Sequence, residues 1–278
     1  MKIVLSIAGS DSGGGAGIQG DVKTITTNGA YAVTAVTALS AQNTLGEKSI
    51  FKVSPEFLSD QLDAIFTDLT PDAVKVGMMY DPVFISLTAQ KLEQYNAKNV
   101  VVDPVRLPRH RKYEALKDDV LEALKEELLP IADVITPDVE EAKVLTGMEI
   151  ETERDLINAT KLISETYDAI VVTKGGRKVS DARDLLFRDG YYKWFPGKVS
   201  HNPNRHGIGA AFSCALAVNL AKGYEADKAF KLAKDYLTVL LDDGMALGSG
   251  IGPVNHTAAM DGRFKGMMTD EEIAGFTV

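Results

Sequence analysis

The stretch RHGIGAAFSC (Arg205–Cys214) is a turn with two glycines that runs directly into the apolar segment Ala211–Ala221. The glycines allow the backbone to turn several N–H groups toward one point, and a helix beginning there adds the positive end of its dipole. Such a turn suits a phosphate group. An isolated G-x-G is also typical of an ordinary joint between a loop and a helix, so the rest of the chain must decide between the two.

The composition describes a chain that can bury a large core without disulfides. Its 278 residues are 45% hydrophobic, and we expect one domain over residues 1–278 because no repeat, low-complexity tract or linker interrupts them. The single cysteine, Cys214, excludes a disulfide framework and a cysteine metal cluster. A net charge of -9 disfavours nucleic-acid and anionic-membrane partners, and no apolar run approaches the ~18 residues of a membrane span. We expect a cytoplasmic protein.

Short apolar runs alternate with amphipathic segments along most of the chain, which predicts parallel strands connected by helices. The predicted strands are Lys2–Ala8, Ala30–Leu39, Ala73–Val76, Asn99–Val102, Val134–Thr136 and Ala169–Thr173. The predicted helices are Ile18–Thr27, Pro55–Leu69, Pro82–Tyr95, Tyr113–Leu129, Asp138–Thr146, Leu156–Thr166, Ala210–Ala221 and Ala226–Leu241. Asp184–Arg188 and Tyr191–Phe195 flank an Asp-Gly turn and predict an antiparallel hairpin. The fold class is therefore α/β, a three-layer αβα arrangement whose mostly parallel sheet has antiparallel edge strands.

Two common nucleotide motifs are excluded. A formal G-x-G-x-x-G spans Gly15–Gly20 after the first strand, but a dinucleotide site also needs an acidic residue about 20 positions later. The chain has Leu39-Ser40-Ala41-Gln42-Asn43 there. No G-x-x-x-x-G-K-[ST] occurs, so the chain is neither a Rossmann nor a P-loop protein.

Polar and glycine-containing motifs follow the predicted parallel strands, where an open α/β sheet forms its ligand crevice. They are Gly9–Gly17, Gln42, Gly77-Met78, Asp103, Asp138 with Glu141, and Lys174-Gly175-Gly176. Each of these motifs is weak evidence, because loops at that edge are polar in any α/β protein. Their joint order predicts one shared site.

With these motifs, the chain resembles the hydroxymethylpyrimidine/phosphomethylpyrimidine kinases of thiamine biosynthesis, which belong to the ribokinase superfamily together with pyridoxal kinases. The resemblance covers nearly the whole chain. It rests on IAGSDSGGGAGIQGDVKT (Ile7–Thr24), TALSAQNT (Thr37–Thr44), KVGMM (Lys75–Met79), VVDPV (Val101–Val105), ITPDVEEA (Ile135–Ala142), VVTKGG (Val171–Gly176), the Gly207–Gly209 turn and GIGPVNH (Gly250–His256). It implies a ribokinase-like fold, ATP and Mg²⁺ as cofactors, a small pyrimidine substrate and a homodimer.

The resemblance also implies the acceptor pocket. The positions that match pyrimidine-pocket residues are Gly9, Asp21, Gln42, Met78 and Val105. A buried carboxylate and an amide can read the amino group and nitrogen of the ring by paired hydrogen bonds, because an unmatched polar group is costly. Without the resemblance, Asp21 would be an acid favoured near a helix start and Gln42 a loop amide.

Phosphate-handling positions follow from the same resemblance. Asp103 and Glu141 match acidic residues near magnesium, acting through water, while Asp138, Glu141, Lys174 and Gly176 match positions beside the nucleotide. Helix capping is the alternative for the acids, and a solvated loop lysine for Lys174. The Gly207, Gly209 and Ala210 amides match the turn that holds the transferred group.

The chain departs from the family pattern in three places. The glycine turn usually reads G-T-G-C, with the cysteine as general base, but here the fourth residue is Ala210, which cannot accept a proton. The usual N-x-x-E begins with Asp138. The loop Arg106–Lys112 is basic where a methionine and small residues are usual, and it is either solvated or able to grip a phosphate.

Other residues near the turn do not replace the base. Cys214 lies one helical turn beyond Ala210 and is expected to face the core, and we expect surface or hydrogen-bonding roles for His201 and His206. The function expected is a kinase with reduced activity on the free alcohol, since an ionised phosphomonoester attacks without a base. The alternatives are a pyridoxal-type kinase and a family member that binds ligand without useful catalysis.

Overall fold

The computed structural model describes residues 1–104, 118–175, 179–242 and 245–260, which form one nine-stranded sheet with helices on both faces. The strands are β1 (Ile3–Asp11), β2 (Tyr31–Asn43), β3 (Gly46–Lys52), β4 (Ala73–Val76), β5 (Val100–Val102), β6 (Val134–Ile135), β7 (Ile170–Thr173), β8 (Asp184–Arg188) and β9 (Tyr191–Phe195). Their order is β3-β2-β1-β4-β5-β6-β7-β8-β9. The six strands from β2 to β7 in this order are parallel, and β3, β8 and β9 are antiparallel. The expected sheet is confirmed.

The helices cover the sheet in two layers. They are α1 (Gly17–Thr27), α2 (Pro55–Phe66), α3 (Pro82–Gln94), α4 (Asp118–Ala123), α5 (Val139–Thr146), α6 (Glu153–Tyr167), α7 (Ile208–Ala221) and α8 (Ala226–Asp242). A short 3₁₀ turn follows at His256–Ala259. Across the described ranges, no helix combines the length and apolar character that crossing a membrane requires.

Each helical layer has its own core because alternate strand residues point to opposite faces of the sheet. In β1, Val4 packs with the layer of α1, α7 and α8, whereas Leu5 and Ile7 pack with the layer of α2, α3 and α6. Helix α7 is apolar around its whole circumference, since it is buried between the sheet and the helices α1 and α8.

Local capping signals fix where several helices begin. The side chains of Ser54, Asp81 and Thr152 accept backbone N–H bonds at the starts of α2, α3 and α6, satisfying amides that have no partner within the helix. Proline occupies the first turns of α2 and α3, where its missing N–H costs little.

The structure differs from the sequence prediction at the sheet edge and before β6. Strand β2 continues to Asn43 and pairs with β3, a strand that the sequence analysis did not predict. The helix expected over Tyr113–Leu129 is α4 followed by a π turn (Leu124–Leu128) and a 3₁₀ turn (Leu129–Ile131), and its first residues lie outside the described ranges. Pro130 explains the change of winding, because it cannot donate to an α-helical hydrogen bond.

Candidate active site

The glycine turn sits at the start of α7 and presents free amides. Gly207 has φ = +89°, and a Cβ there would lie 1.8 Å from the Gly15 carbonyl oxygen, so only glycine fits. The first intrahelical donor is Ala211, whose N–H bonds to the Gly207 carbonyl at 2.9 Å. The amides of Gly209 and Ala210 precede it and are therefore available to an anion at the positive end of the helix. We call residues 206–210 the anion turn.

Lys174 follows β7 and reaches the anion turn. A Cβ at Gly209 would lie 3.7 Å from Lys174 Nζ. The same nitrogen lies 3.2 Å from Asp103 Oδ1 and 3.8 Å from Glu141 Oε2. Burial lowers the pKa of Lys174, but these carboxylates raise it more, so its pKa lies above the usual value and the ammonium stays charged.

Asp103, at the end of β5, joins three elements. Besides Lys174, its carboxylate accepts bonds from Thr136 Oγ1 at 3.4 Å and Ser213 Oγ at 3.2 Å. Ser213 lies on α7 one turn after the anion turn, so this bond fixes the helix relative to the central strands. The sequence analysis did not single out Thr136 or Ser213, because isolated hydroxyl residues carry no recognisable spacing.

Asp138 and Glu141 form a capping box at the start of α5. Glu141 Oε2 accepts from the Asp138 N–H at 2.7 Å, and Asp138 Oδ1 accepts from the Glu141 N–H at 2.8 Å. The capping alternative therefore holds for both residues. Burial, opposed by Lys174 and reinforced by Asp103, raises the pKa of Glu141 to about 7.

The carboxylates of this region suit a magnesium ion only if the ion keeps much of its water. Within the described ranges, no three His, Cys, Asp or Glu side chains are placed to hold a metal directly. Mg²⁺ commonly uses one or two carboxylates together with water and substrate phosphates, and Asp103 and Glu141 can supply these. Their role as magnesium-associated residues stays a prediction.

The structure changes the expected role of Asp21. Its residue is completely buried on α1, and Oδ2 binds Lys75 Nζ at 2.8 Å and Ser6 Oγ at 2.5 Å. Asp21 therefore does not line the cleft surface. It also lies beyond the first turn of α1, which is where the helix dipole would favour a negative charge. Burial raises the pKa of Asp21, and the Lys75 ammonium opposes that shift.

The buried pair lies against the backbone at Gly77, next to the predicted pocket residue Met78. A Cβ at Gly77 would lie 2.6 Å from Lys75 Nζ, so the ammonium sits directly under the Gly77-Met78 backbone. A lysine in the otherwise apolar strand β4 is the signal that could have revealed this pair, since buried lysines need a charged partner.

Three other predicted pocket residues, Gly9, Gln42 and Met78, lie within the described part of the chain. A Cβ at Gly9 would lie 3.1 Å from Tyr80 Cε2, so a larger residue at this position would require the Tyr80 ring to move. The Gln42 N–H donates to Ser12 Oγ at 2.8 Å, and Gln42 and Met78 are half-buried. Val105, Gly176 and the loop Arg106–Lys112 lie outside the described residues. Pyrimidine contacts at these positions stay predictions.

Asp11 organises the glycine loop between the pocket and the anion turn. Its carboxylate accepts from the N–H groups of Gly13, Gly15 and Ala16 at 2.7 to 3.1 Å. His206 Nε2 lies 2.8 Å from Asp11 Oδ2. Burial raises the pKa of Asp11, but the hydrogen bonds from His206 and Gln42 help to lower it well below its usual value. The hydrogen-bonding role expected for His206 is confirmed.

The segment Gly248–Val254 forms backbone hydrogen bonds on two sides. The Ile251 N–H binds the Thr44 carbonyl at 3.0 Å, and the His206 N–H binds the Gly252 carbonyl at 3.1 Å. The segment therefore ties the β2–β3 connection to the anion turn.

A cavity of about 270 Å³ opens on the other side of the anion turn. Its lining includes Lys174, Arg205 and Gly209 together with the apolar residues Val199, Leu237 and Leu241. A ligand with an apolar body and an anionic tail fits this mixed lining. Sequence analysis missed most of this lining, because it comes from α8 and an irregular segment without a motif.

No thiol replaces the missing base. Cys214 is completely buried and donates to the Asp21 carbonyl at 3.6 Å, and burial raises its pKa well above the usual value. Neither Ala210, which stands where the family usually has its cysteine, nor the buried Cys214 therefore supplies that base.

Comparison with known proteins agrees with this geometry. The family model described as phosphomethylpyrimidine kinase matches residues 11–255. A hydroxymethylpyrimidine/phosphomethylpyrimidine kinase of Bacillus subtilis is 38% identical over 91% of this chain and 94% of its own. The thiamine biosynthesis bifunctional protein ThiED of Geobacter sulfurreducens is 40% identical over 93% of this chain, which spans only 53% of that relative's length.

A solved structure places the fold in the same group. The ADP complex of Bacillus subtilis pyridoxal kinase superposes with a TM-score of 0.86 at 35% identity, over 93% of this chain and 98% of the kinase. The ribokinase-like fold expected from the sequence is thereby confirmed. A family match over most of the chain and a relative that is 38% identical over nearly its whole length lead to one conclusion: this chain belongs to the phosphomethylpyrimidine kinase family.

Proposed function

We propose that this protein transfers the terminal phosphoryl group of ATP to 4-amino-5-hydroxymethyl-2-methylpyrimidine and, preferentially, to its monophosphate. The observation that carries the proposal is the position of the anion turn. It borders the cavity of about 270 Å³ at Gly209 and contacts the glycine loop at Gly15 through Gly207, with the Lys174 ammonium against Gly209. Donor and acceptor can therefore meet at the amides of Gly209 and Ala210.

The transfer follows from what these groups stabilise. The acceptor oxygen forms a bond to the terminal phosphorus while the bond from that phosphorus to the bridging oxygen of ATP breaks, and ADP leaves. Negative charge spreads over the transferred oxygens, so the anion turn and Lys174 stabilise the transition state. Bound Mg²⁺, near Asp103 and Glu141, would neutralise part of the phosphate charge.

Ala210 sets the acceptor preference. A hydroxyl acceptor must lose a proton as it attacks, and Ala210, which stands where the family usually has its general base, cannot accept that proton. A monophosphate acceptor is already ionised near neutral pH. General-base help is typically worth ~10²–10⁴ in rate, so its loss slows transfer to the alcohol and spares transfer to the monophosphate.

Steady-state assays on both acceptors test this proposal. We expect a higher kcat/KM for the monophosphate, and Ala210→Cys should raise kcat on the alcohol by ten-fold or more while changing the monophosphate rate little. Ala210→Ser is the matched control, because it adds a side chain of similar size that is a weak base. Equal turnover of both acceptors by the unaltered protein would contradict the preference.

Pyridoxal is the second acceptor to test, because a solved pyridoxal kinase shares this fold at 35% identity. Pyridoxal and the pyrimidine should be compared as acceptors in the same assay at equal concentration. A higher kcat/KM for pyridoxal would replace the pyrimidine proposal while keeping the kinase mechanism.

A binding role without useful catalysis is motivated by Ala210, by Asp138 and by the basic sequence of Arg106–Lys112. Calorimetric binding of nucleotide with no detectable ADP release would support it. Turnover that is lost in Lys174→Ala would contradict it, since Lys174 acts on the phosphates.

We also propose a homodimer in solution. β3 forms the edge of the sheet, and the cross-strand neighbours Leu39 and Phe51 are 49% and 70% exposed, which is an apolar pair suited to burial. Light scattering coupled to size exclusion should give twice the chain mass of 30.0 kDa. Phe51→Asp should shift the mass toward the monomer, whereas Tyr191→Asp at the opposite edge should not.

A further inference from the structure

Four cationic side chains line the cavity beside the anion turn, and three of them are already paired. Lys174 binds Asp103, Lys198 binds Asp242 at 2.8 Å, and Lys234 binds Asp184. Arg205 also lines the cavity, and its guanidinium has no carboxylate partner in the part of the chain that the structure describes. An uncompensated positive charge in a cavity is a feature that an anionic ligand can satisfy.

The position of Arg205 restricts which part of a ligand it can meet. Its carbonyl accepts the Ile208 N–H at 3.2 Å, so its backbone is fixed as the first residue of the turn that leads into α7. The apolar residues Leu237 and Leu241 come from α8 and line the same cavity. Arg205 is exposed and stands on the side of the anion turn, with Lys174 and Gly209.

We propose that Arg205 binds the polyphosphate chain of the nucleotide and contributes directly to holding the donor for transfer. The inference rests on the proposed kinase function. A planar guanidinium with several N–H donors matches phosphate oxygens better than a lysine ammonium. Arg205 therefore adds a positive charge beside the amides of the anion turn.

Calorimetric titration of the full chain with ATP, ADP and adenosine, each in the presence of Mg²⁺, tests this role. We expect Arg205→Ala to weaken ATP and ADP binding by roughly ten-fold or more, because charge-assisted hydrogen bonds to phosphate are lost. Adenosine, which lacks phosphate, should bind with an affinity changed by less than two-fold. Arg205→Lys should recover part of the loss, since it restores charge but not the paired donors.

Lys231→Ala is the matched control. It also removes one positive charge, but Lys231 pairs with Asp235 on the exposed side of α8 and does not line the cavity. Its nucleotide affinities should equal those of the unaltered protein, and thermal unfolding should show that both variants fold.

The possible outcomes separate the two proposals. If the unaltered protein binds no ATP, the kinase proposal fails and the role of Arg205 fails with it. If the unaltered protein binds ATP and Arg205→Ala binds it equally well, only the role of Arg205 is contradicted. An equal loss of affinity for ATP and adenosine would also contradict it, because the residue would then act on the nucleoside part or on the shape of the cavity.

Discussion

Lys75 is the residue whose environment differs most from what its type suggests. Its side chain is 1% exposed, lies in a strand of valines and faces Asp21, which is completely buried. Burial lowers the pKa of Lys75, and the nearby carboxylates of Asp21 and Asp103 raise it more, so its pKa is above the usual value. Two buried charges of opposite sign stabilise each other strongly, but either one alone is costly.

We predict that Lys75→Met lowers the free energy of unfolding by about 3–5 kcal/mol, because it leaves the Asp21 carboxylate buried without its partner. Urea denaturation followed by circular dichroism measures the change. The double variant Asp21→Asn with Lys75→Met should recover much of the loss. Lys2→Met, which breaks an exposed pair with Asp72, should cost less than about 1 kcal/mol. Equal losses in the buried and exposed variants would contradict this account.

At the scale of elements, the anion turn depends on the backbone contact between two loops. Gly207 approaches the Gly15 carbonyl so closely that any side chain would push the glycine loop and α7 apart. The same loops are joined by the bond between Asp11 and His206, so one displacement disturbs both sides of the cleft.

Gly207→Ala should reduce kcat by at least ten-fold, since its Cβ would lie 1.8 Å from the Gly15 carbonyl oxygen and a positive φ is strained for alanine. Initial-rate assays measure the effect, and a thermal melt shows how much of it comes from instability. Gly147→Ala is the matched control, because Gly147 also has a positive φ of 70° but has open space around it. That variant should lose some stability and keep its kcat. Full activity of Gly207→Ala would contradict the predicted role of the contact.

The elements that sequence reasoning found are those with strong local signals. The strands β4 and β7 and the hairpin β8–β9 follow from apolar runs and an Asp-Gly turn, and the start of α5 follows from its acidic cap. Strand β3 was missed because Glu47, Lys48 and Ser49 are polar and interrupt any apolar run, and the strand is recognisable only through its pairing with β2.

The residues of the candidate site likewise fall into those that carried a sequence motif and those that did not. Lys174 and the anion turn carried motifs and come together as expected. Asp21 was expected to contact the pyrimidine, because the sequence does not show that Lys75 and Ser6 bind its carboxylate. Arg205 and the α8 side of the cavity became visible only when distant segments were brought together, since no spacing links them.

At the scale of the whole molecule, His256 joins the end of the described chain to two helices of one layer. Its Nδ1 lies 2.8 Å from the Tyr236 hydroxyl on α8 and 3.5 Å from Thr24 Oγ1 on α1. Burial lowers the pKa of His256 to about 4. The folded protein therefore holds the ring neutral at pH values where an unfolded chain would protonate it.

The free energy of unfolding should fall as the pH drops from about 6.5 to 4, because the unfolded chain takes up a proton that folded His256 resists. The contribution of this residue reaches about 3 kcal/mol at the acidic end. The raised pKa of Glu141 makes its own contribution to the free energy of unfolding grow as the pH falls, which opposes the effect of His256. Comparing the unaltered protein with His256→Asn isolates the effect of His256, because Glu141 is the same in both. Urea unfolding at several pH values should show a flatter profile for His256→Asn than for the exposed control His201→Asn. Parallel profiles would contradict the prediction.

The strand order has a consequence for how the protein is made. From β5 onward, each new strand pairs with the strand synthesised just before it, so the sheet can grow outward while the chain leaves the ribosome. Helix α7 emerges late, yet it covers Val4, Ala73 and Val101 on one face of that sheet. A nascent chain that ends before Ile208 thus exposes an apolar surface that attracts chaperones. When α7 folds onto the sheet, it hides this surface and brings the amides of the anion turn into place in the same step.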